Sequence, residues 1–240
     1  MSAERIEKFI SSRTNYSRRE AKELLKAGRV KINGETAPKN TKTVDPLCDS
    51  VEVDLQLLDG SEYVYLMMNK PKGVISASSD KSKKTVVDLL PDSFNRSAIF
   101  PVGRLDRDTT GLLILTNDGD FAHTVISPKS KIEKVYIAEL DGKITEDTVN
   151  RFAEGVILAD GTKCLPAKLI IGENPFFGTV KIFEGKYHQI KRMFGTVGLG
   201  VVSLHRESVG GVKLDGKLEA GEIRRLTAEE INLIKIAHKS

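Results

Sequence analysis

Pro101-Val102-Gly103-Arg104-Leu105-Asp106-Arg107-Asp108-Thr109-Thr110-Gly111 is the densest polar cluster in the chain, and it runs straight into the apolar stretch Leu112-Leu113-Ile114-Leu115. A loop that sets two acids among arginines and then enters a buried strand costs desolvation unless its charges are paired or used. Outward from it lie many short apolar runs, at residues 63–68, 111–115, 135–140, 168–171 and 179–183. Stretches of helical period are fewer, at 120–126, 145–154 and 187–197. Asn69-Lys70-Pro71-Lys72-Gly73 reads as a turn, and residues 76–84 as a polar, basic surface loop. Thr227-Ala228-Glu229-Glu230 boxes a last helix ending near His238. The pattern predicts an α+β domain with a mixed, mainly antiparallel sheet over residues 60–240.

The N-terminal part reads differently. Ile6, Phe9 and Ile10 have helical spacing, and Ser17-Arg18-Arg19-Glu20 is a capping box that opens a second helix. Ala21, Leu24 and Leu25 share one face of it, while Arg18, Lys22, Lys26 and Arg29 form a separate basic stripe. Gly28 suits the C-terminal cap. Val30-Lys31-Ile32 then alternates into Asn33-Gly34, a strong hairpin signal, and Ser50-Val51-Glu52-Val53 supplies a further strand. The polar break Asp59-Gly60-Ser61-Glu62 makes a linker, so the expected domains are 1–59 and 60–240.

Charge follows this division. The whole chain has 37 Lys and Arg against 33 Asp and Glu, a formal net charge of only +4. Residues 1–31, however, hold nine basic side chains against four acids, and residues 32–60 hold two against six. A basic helix face is commonly just a solvated face, yet such a stripe is also what a helix lying along phosphates needs.

Several classes drop out. With 40% hydrophobic and 29% charged residues in 240, the chain is long enough for a substantial core. It has no apolar run of membrane-spanning length and no secretory h-region after Met1, so a cytoplasmic protein is expected. Cys48 and Cys164 form no C-x-x-C pair and read as small hydrophobes. The four histidines lack H-x-x-x-H spacing, and no G-x-S-x-G elbow occurs. Gly211–Lys217 imitates a phosphate loop, but Leu218 stands where Ser or Thr must ligate magnesium, so a hairpin turn is expected. Asp106-x-Asp108-x-Thr110-Gly111 imitates a calcium loop, but its twelfth position is Asn117. For Asp106 and Asp108 the residues leave three readings open: an Arg–Asp network pinning the loop, a carboxylate held ionised as nucleophile or base, or a glycosidase-like carboxylate pair.

Two resemblances narrow this. The helix, the Ser17-Arg18-Arg19-Glu20-Ala21 helix and the Gly28-Arg29-Val30-Lys31-Ile32-Asn33-Gly34 hairpin resemble the alpha-L RNA-binding domain named after the fourth protein of the small ribosomal subunit, over about residues 2–58. This implies RNA contacts from Arg18, Arg19, Lys22, Lys26 and Arg29. Gly103-Arg104-Leu105-Asp106-Arg107-Asp108-Thr109-Thr110-Gly111-Leu112-Leu113, with Thr116-Asn117-Asp118-Gly119, resembles the signature of ribosomal RNA pseudouridine synthases. Asn69-Lys70-Pro71-Lys72-Gly73, Lys134-Val135-Tyr136, Glu184-Gly185-Lys186 with Tyr187-His188-Gln189-Ile190-Lys191-Arg192-Met193-Phe194, and Leu204-His205-Arg206-Glu207 extend the similarity across residues 64–225.

The second resemblance implies isomerisation of a uridine in RNA, with no cofactor and no metal. Asp106 is the implied catalytic carboxylate, acting by attack at C1′ or by taking the C2′ proton. Tyr136 is the implied active-site tyrosine, stacking on uracil with its hydroxyl near C5. Lys191 is the implied partner of the carboxylate, where many relatives carry Arg and hence a more directional pair. Lys70, Arg104, Arg192 and Arg206 are candidate phosphate contacts, and Leu204 packs under the base. The implied partner is ribosomal RNA, or a small-subunit assembly intermediate, met by a monomer. The Tyr187–Phe194 stretch fits the branch acting on 16S RNA; action on 23S RNA, or a non-catalytic RNA-binding assembly factor, are the alternatives.

Overall fold

The structure is a computed structural model, and it describes residues 3–46, 48–58, 63–92 and 94–237. In the N-terminal unit, β1 (Glu4–Arg5) leads into α1 (Ile6–Arg13) and α2 (Arg18–Lys26). Short strands β2 (Val30–Ile32), β3 (Glu35–Thr36), β4 (Thr43–Val44), β5 (Val51–Val53) and β6 (Gln56–Leu58) follow. Phe9, Ile10, Ala21, Leu24 and Leu25 close over Val30, Val51 and Val53 in one core. The expected capping box forms: Ser17 Oγ accepts from Glu20 N at 3.2 Å while Ser17 N donates to Glu20 Oε2 at 2.7 Å. Asn33 and Gly34 both have positive φ, +53° and +84°, which is the twist a two-residue hairpin between β2 and β3 requires. The expected linker and domain boundary, at residues 59–62, lie outside the described residues, as does His238.

The second unit comprises β7 (Tyr65–Lys70), β8 (Phe100–Pro101), β9 (Thr110–Thr116), α3 (Gly119–Ile126), β10 (Lys134–Leu140), α4 (Glu146–Glu154) and β11 (Lys168–Ile171). It continues through β12 (Phe177–Ile182), α5 (Gln189–Gly195), β13 (Val201–Val209), β14 (Val212–Lys213), β15 (Ile223–Arg225) and α6 (Ala228–Ala237). The strands form one mixed sheet in the order β11-β12-β10-β13-β9-β7-β15, with β8 and β14 attached to β9 and β13. Among the described pairings of this sheet, β9 with β13 is parallel and the rest are antiparallel, so the fold is the expected α+β type. Both sheet faces are covered. Met68, Leu113, Leu115 and Phe194 belong to one core, while Met67, Leu112, Ile114 and Phe121 belong to the other. This is why β9 is a continuous apolar run rather than an alternating one.

Three expectations are corrected. Asn69 and Lys70 belong to β7, not to a turn, and the turn is confined to Lys72 and Gly73. The residue before a proline is pushed toward extended backbone, so Pro71 prolongs the strand through Lys70 instead of ending it. Ser76, expected in an exposed loop, is buried, with its Oγ donating to Leu105 O at 2.9 Å. Cys164 is buried as expected, but Cys48 is exposed. The hairpin expected near Gly211 is present: Gly210 and Gly211 have φ of +58° and +83°, and Val209 pairs with Val212.

Candidate active site

The backbone of the Asp106 loop is held from both sides. Ser76 Oγ bridges Leu105, accepting from its N at 3.0 Å and donating to its O at 2.9 Å. Gly73 N donates to Arg107 O at 2.7 Å, Arg107 Nε returns to Gly73 O at 3.1 Å, and Thr109 N donates to Asp106 O at 3.1 Å. Lys70 has its place here. Fully buried beneath the loop, its ammonium donates to Pro71 O at 3.0 Å and Thr109 O at 2.9 Å. Burial pushes its pKa down to about 8, against the opposing pull of Asp108 and Asp106. Lys70 is expected at a phosphate, but here it is fully buried and two of its three donors are taken by the carbonyls of Pro71 and Thr109.

The loop's two acids are answered from far along the chain. His188 Nε2 stands 3.3 Å from Asp106 Oδ1 and Lys191 Nζ stands 3.6 Å from Asp106 Oδ2. Lys191 Nζ is closer still to Asp108, at 2.5 Å, and this bond holds the Asp108 carboxyl below the usual range. The described contacts pair neither Arg104 nor Arg107 with these acids, so an Arg–Asp network internal to the loop is not what holds it.

What aims His188 and Lys191 is a buried glutamate. Glu184 accepts from Leu165 N at 2.8 Å, from Gln189 Nε2 at 2.9 Å and from Lys186 Nζ. Gln189 Oε1 in turn takes Lys186 N at 2.9 Å, closing the loop ahead of α5. His188, at the N-terminal cap of α5, adopts a left-handed backbone with φ +48°. Tyr187 is 71% exposed and stacks on the His188 ring with centroids 3.9 Å apart. An aromatic pair, with Tyr187 exposed and His188 half-buried, thus flanks the carboxylate.

These groups border a cavity of about 1110 Å³. Its floor is one face of the sheet, with Lys134 and Tyr136 from β10, Ile182 from β12, and Leu204 and Arg206 from β13. Arg206 is buried, donating through Nε to Leu112 O at 2.7 Å and through Nη1 to Tyr136 Oη at 3.4 Å. Gly111 makes this possible. Its φ is +102°, and a Cβ there would sit 2.3 Å from Arg206 O, so only glycine lets β9 and β13 approach this closely.

The structure thus brings Asp106, Tyr136, Lys191, Arg104, Leu204 and Arg206 to one cavity. Arg192 does not line it; its Nη2 pairs with Asp160 Oδ2 at 2.5 Å. On the N-terminal unit, Arg18, Arg19, Lys22 and Lys26 are exposed along α2. Lys26 is 2.9 Å from Glu23, and Arg29 makes a bidentate pair with Asp54, both bonds 2.6 Å. Arg29 is therefore the least available member of the stripe. Sequence reasoning misses His188 and Lys134 as individual site residues, although both lie within the motifs that carry the family resemblance. Spacing tests a histidine only as a metal ligand, and nothing local marks Lys134 as facing a cavity. Among the described residues no group of three or more His, Cys, Asp or Glu gathers to hold a metal, and no helix is long and apolar enough to cross a membrane.

The cavity gathers a carboxylate, a tyrosine and buried cations, and the N-terminal unit carries an exposed basic helix, a pairing suited to an enzyme that acts on a polyanion. The chain belongs to the RNA pseudouridylate synthase family, whose model matches residues 64–196, and an S4 domain model matches residues 4–46. It is 44% identical to an uncharacterised RNA pseudouridine synthase of Bacillus subtilis (strain 168), over 96% of this chain and 98% of that one. It is 39% identical to ribosomal small subunit pseudouridine synthase A of Yersinia pestis, over 98% and 99%. It is also 37% identical to ribosomal large subunit pseudouridine synthase B of Bacillus subtilis (strain 168), over 97% and 96%. A crystal structure of a pseudouridylate synthase superposes with a TM-score of 0.68 at 36% identity, covering 96% of this chain and 99% of that chain.

Proposed function

We propose that this pseudouridine synthase acts on a uridine of ribosomal RNA, in the 16S RNA of the small subunit, with Asp106 as the catalytic carboxylate. The observation that carries the reading is the placement of Asp106 between His188 and Lys191 at the edge of a cavity floored by Tyr136 and Leu204. Relatives named for the small and the large subunit match at similar identity. The small-subunit choice rests on the Tyr187-His188-Gln189-Ile190-Lys191-Arg192-Met193-Phe194 stretch.

In the reaction the N1–C1′ bond breaks, the uracil turns, and C5 bonds to C1′; N1 gains a proton and C5 loses one. The nucleotide must leave its stack for Asp106 to reach the ribose, and the cavity holds both fragments away from water. Asp106 then attacks C1′ or removes the C2′ proton. Lys191, shared with Asp108, stands 3.6 Å from the Asp106 carboxylate and fixes where it points for either route. Tyr136 presents its ring to the uracil with its hydroxyl oriented by Arg206. The domains 1–59 and 60–240 divide the work, the first holding RNA through Arg18, Arg19, Lys22 and Lys26, the second doing chemistry.

The test is tritium release from C5-labelled RNA, offered as 16S RNA, 23S RNA and a partly assembled small subunit. Release from 16S-containing substrates supports the proposal, release from 23S RNA alone moves the substrate, and no release from any of them overturns it. A substrate deuterated at C2′ separates the routes, because only removal of that proton gives a primary isotope effect.

A further inference from the structure

The cavity holds more positive charge than Asp106 chemistry uses. Among the described residues, two buried side-chain polar atoms lack a hydrogen-bond partner, Lys134 Nζ and Thr109 Oγ1, and both residues line this one cavity. Buried polar groups are nearly always satisfied, and an orphaned ammonium is the costlier of the two to leave so. Lys134 is only 7% exposed. Burial, and then the like charge of Arg206, push its pKa down to about 8.

The nearby acids are engaged elsewhere. Glu133 is 3.4 Å from Lys181, while Asp106 and Asp108 face Lys191 and His188. Lys134 lies two residues from Tyr136 along β10, pairing with Ile182 as Tyr136 pairs with Val180, so the two share a sheet face. Arg206 lies opposite Tyr136 on β13. Two buried cations thus occupy one strip of the floor, and among the described residues no acid is paired with either. A neutral carbonyl would leave their charge uncompensated; an anionic oxygen would not.

We propose that Lys134 and Arg206 form an oxyanion subsite that receives a negatively charged oxygen of the RNA substrate. The inference rests on reading the cavity as the uridine site. The oxygen has two sources of the same chemistry: a backbone phosphate of the bound strand, or the uracil itself, whose carbonyl oxygens carry the negative charge once N1–C1′ breaks.

The test is Lys134→Met, which keeps length and removes charge, beside Lys134→Arg. Salt-dependent affinity for the RNA substrate, single-turnover tritium release at saturating RNA, and the melting shift produced by uridine 5′-monophosphate and by inorganic phosphate are measured. A phosphate source weakens RNA affinity of Lys134→Met by roughly ten-fold and flattens its salt slope. A uracil source leaves affinity intact and slows the single-turnover step by roughly ten-fold. In either case Lys134→Arg restores part of the loss. A well-folded Lys134→Met that binds and turns over like wild type overturns the proposal, as does a variant whose losses only track a lowered melting temperature. If wild type releases no tritium, the functional reading has failed, and the subsite is judged by the melting shift alone: a shift abolished in Lys134→Met upholds it, an unchanged or absent one overturns it.

Discussion

Gly111 and Arg206 meet backbone to backbone: a Cβ on Gly111 would lie 2.3 Å from Arg206 O and 2.7 Å from Arg206 N. This is the seam where β9 and β13 run parallel, and it carries the cavity's buried guanidinium. Gly111→Ala must both strain a φ of +102° and push the strands apart. The backbone strain alone costs about 1–3 kcal/mol. The expected outcome is a lower melting temperature, with tritium release falling further than the folded fraction because Arg206 no longer holds the Tyr136 hydroxyl.

Asp106 and Asp108 share Lys191 but have different surroundings. The Asp108 side chain is 58% exposed and that of Asp106 24%. Asp106→Asn is expected to abolish single-turnover release while RNA affinity persists. Asp108→Asn frees Lys191 to move toward Asp106 and is expected to keep most activity. Equal losses from the two substitutions would favour a carboxylate pair acting together.

Stability should respond to alkali through two buried lysines. Lys70 and Lys134 both titrate near pH 8 in the fold, against a reference value of 10.5. Below about pH 8 both states are protonated and the native state bears the full cost of the buried charge. Between about 8 and 10.5 the unfolded chain holds more protons, so these groups make stability rise with pH, and above that range the rise ends. Lys134→Met removes one of them and is expected to be more stable near neutral pH, by on the order of 3 kcal/mol at most. Its advantage over wild type should shrink as pH passes from 8 toward 10.5, measured by denaturant unfolding at fixed salt.

The basic stripe is not uniform. Replacing Arg18, Arg19 and Lys22 with Ala should weaken RNA binding and reduce the salt slope by about one for each phosphate no longer neutralised. Arg29→Ala should do less to the slope, because its guanidinium is already bidentate to Asp54. An unchanged slope in the triple variant would remove α2 from the RNA interface.

Features written in neighbouring residues were legible from the sequence. The Ser17–Glu20 box, the Asn33-Gly34 hairpin and the turn ahead of Val212 all appear where local backbone chemistry puts them. The polar cluster at 101–111 stands out in the sequence as a candidate site, because charge beside a buried strand needs a reason. Lys191, which answers that charge, is named only by the family resemblance, and nothing in the residues around the cluster points to it or to His188. Lys191 reaches Asp108 across 83 residues of chain, a contact set by strand order rather than by spacing. Lys134 carries no local sign of burial, and Lys70, expected at a phosphate, is covered in the fold instead. The same distant packing left one ammonium satisfied by carbonyls and the other without a partner.

The separation of Asp106 from His188, Lys191 and Arg206 also orders events during translation. The core of the N-terminal unit is complete within the first 58 residues, and such units fold as they emerge. The Asp106 loop follows, but it must wait for α5 and β13 before its carboxylate meets His188, Lys191 and the cavity floor, and β7 must wait for β15 further along the chain. A nascent chain therefore owns its RNA-holding module well before it owns a chemical centre. Competence to rearrange a nucleotide is among the last properties the growing polypeptide acquires.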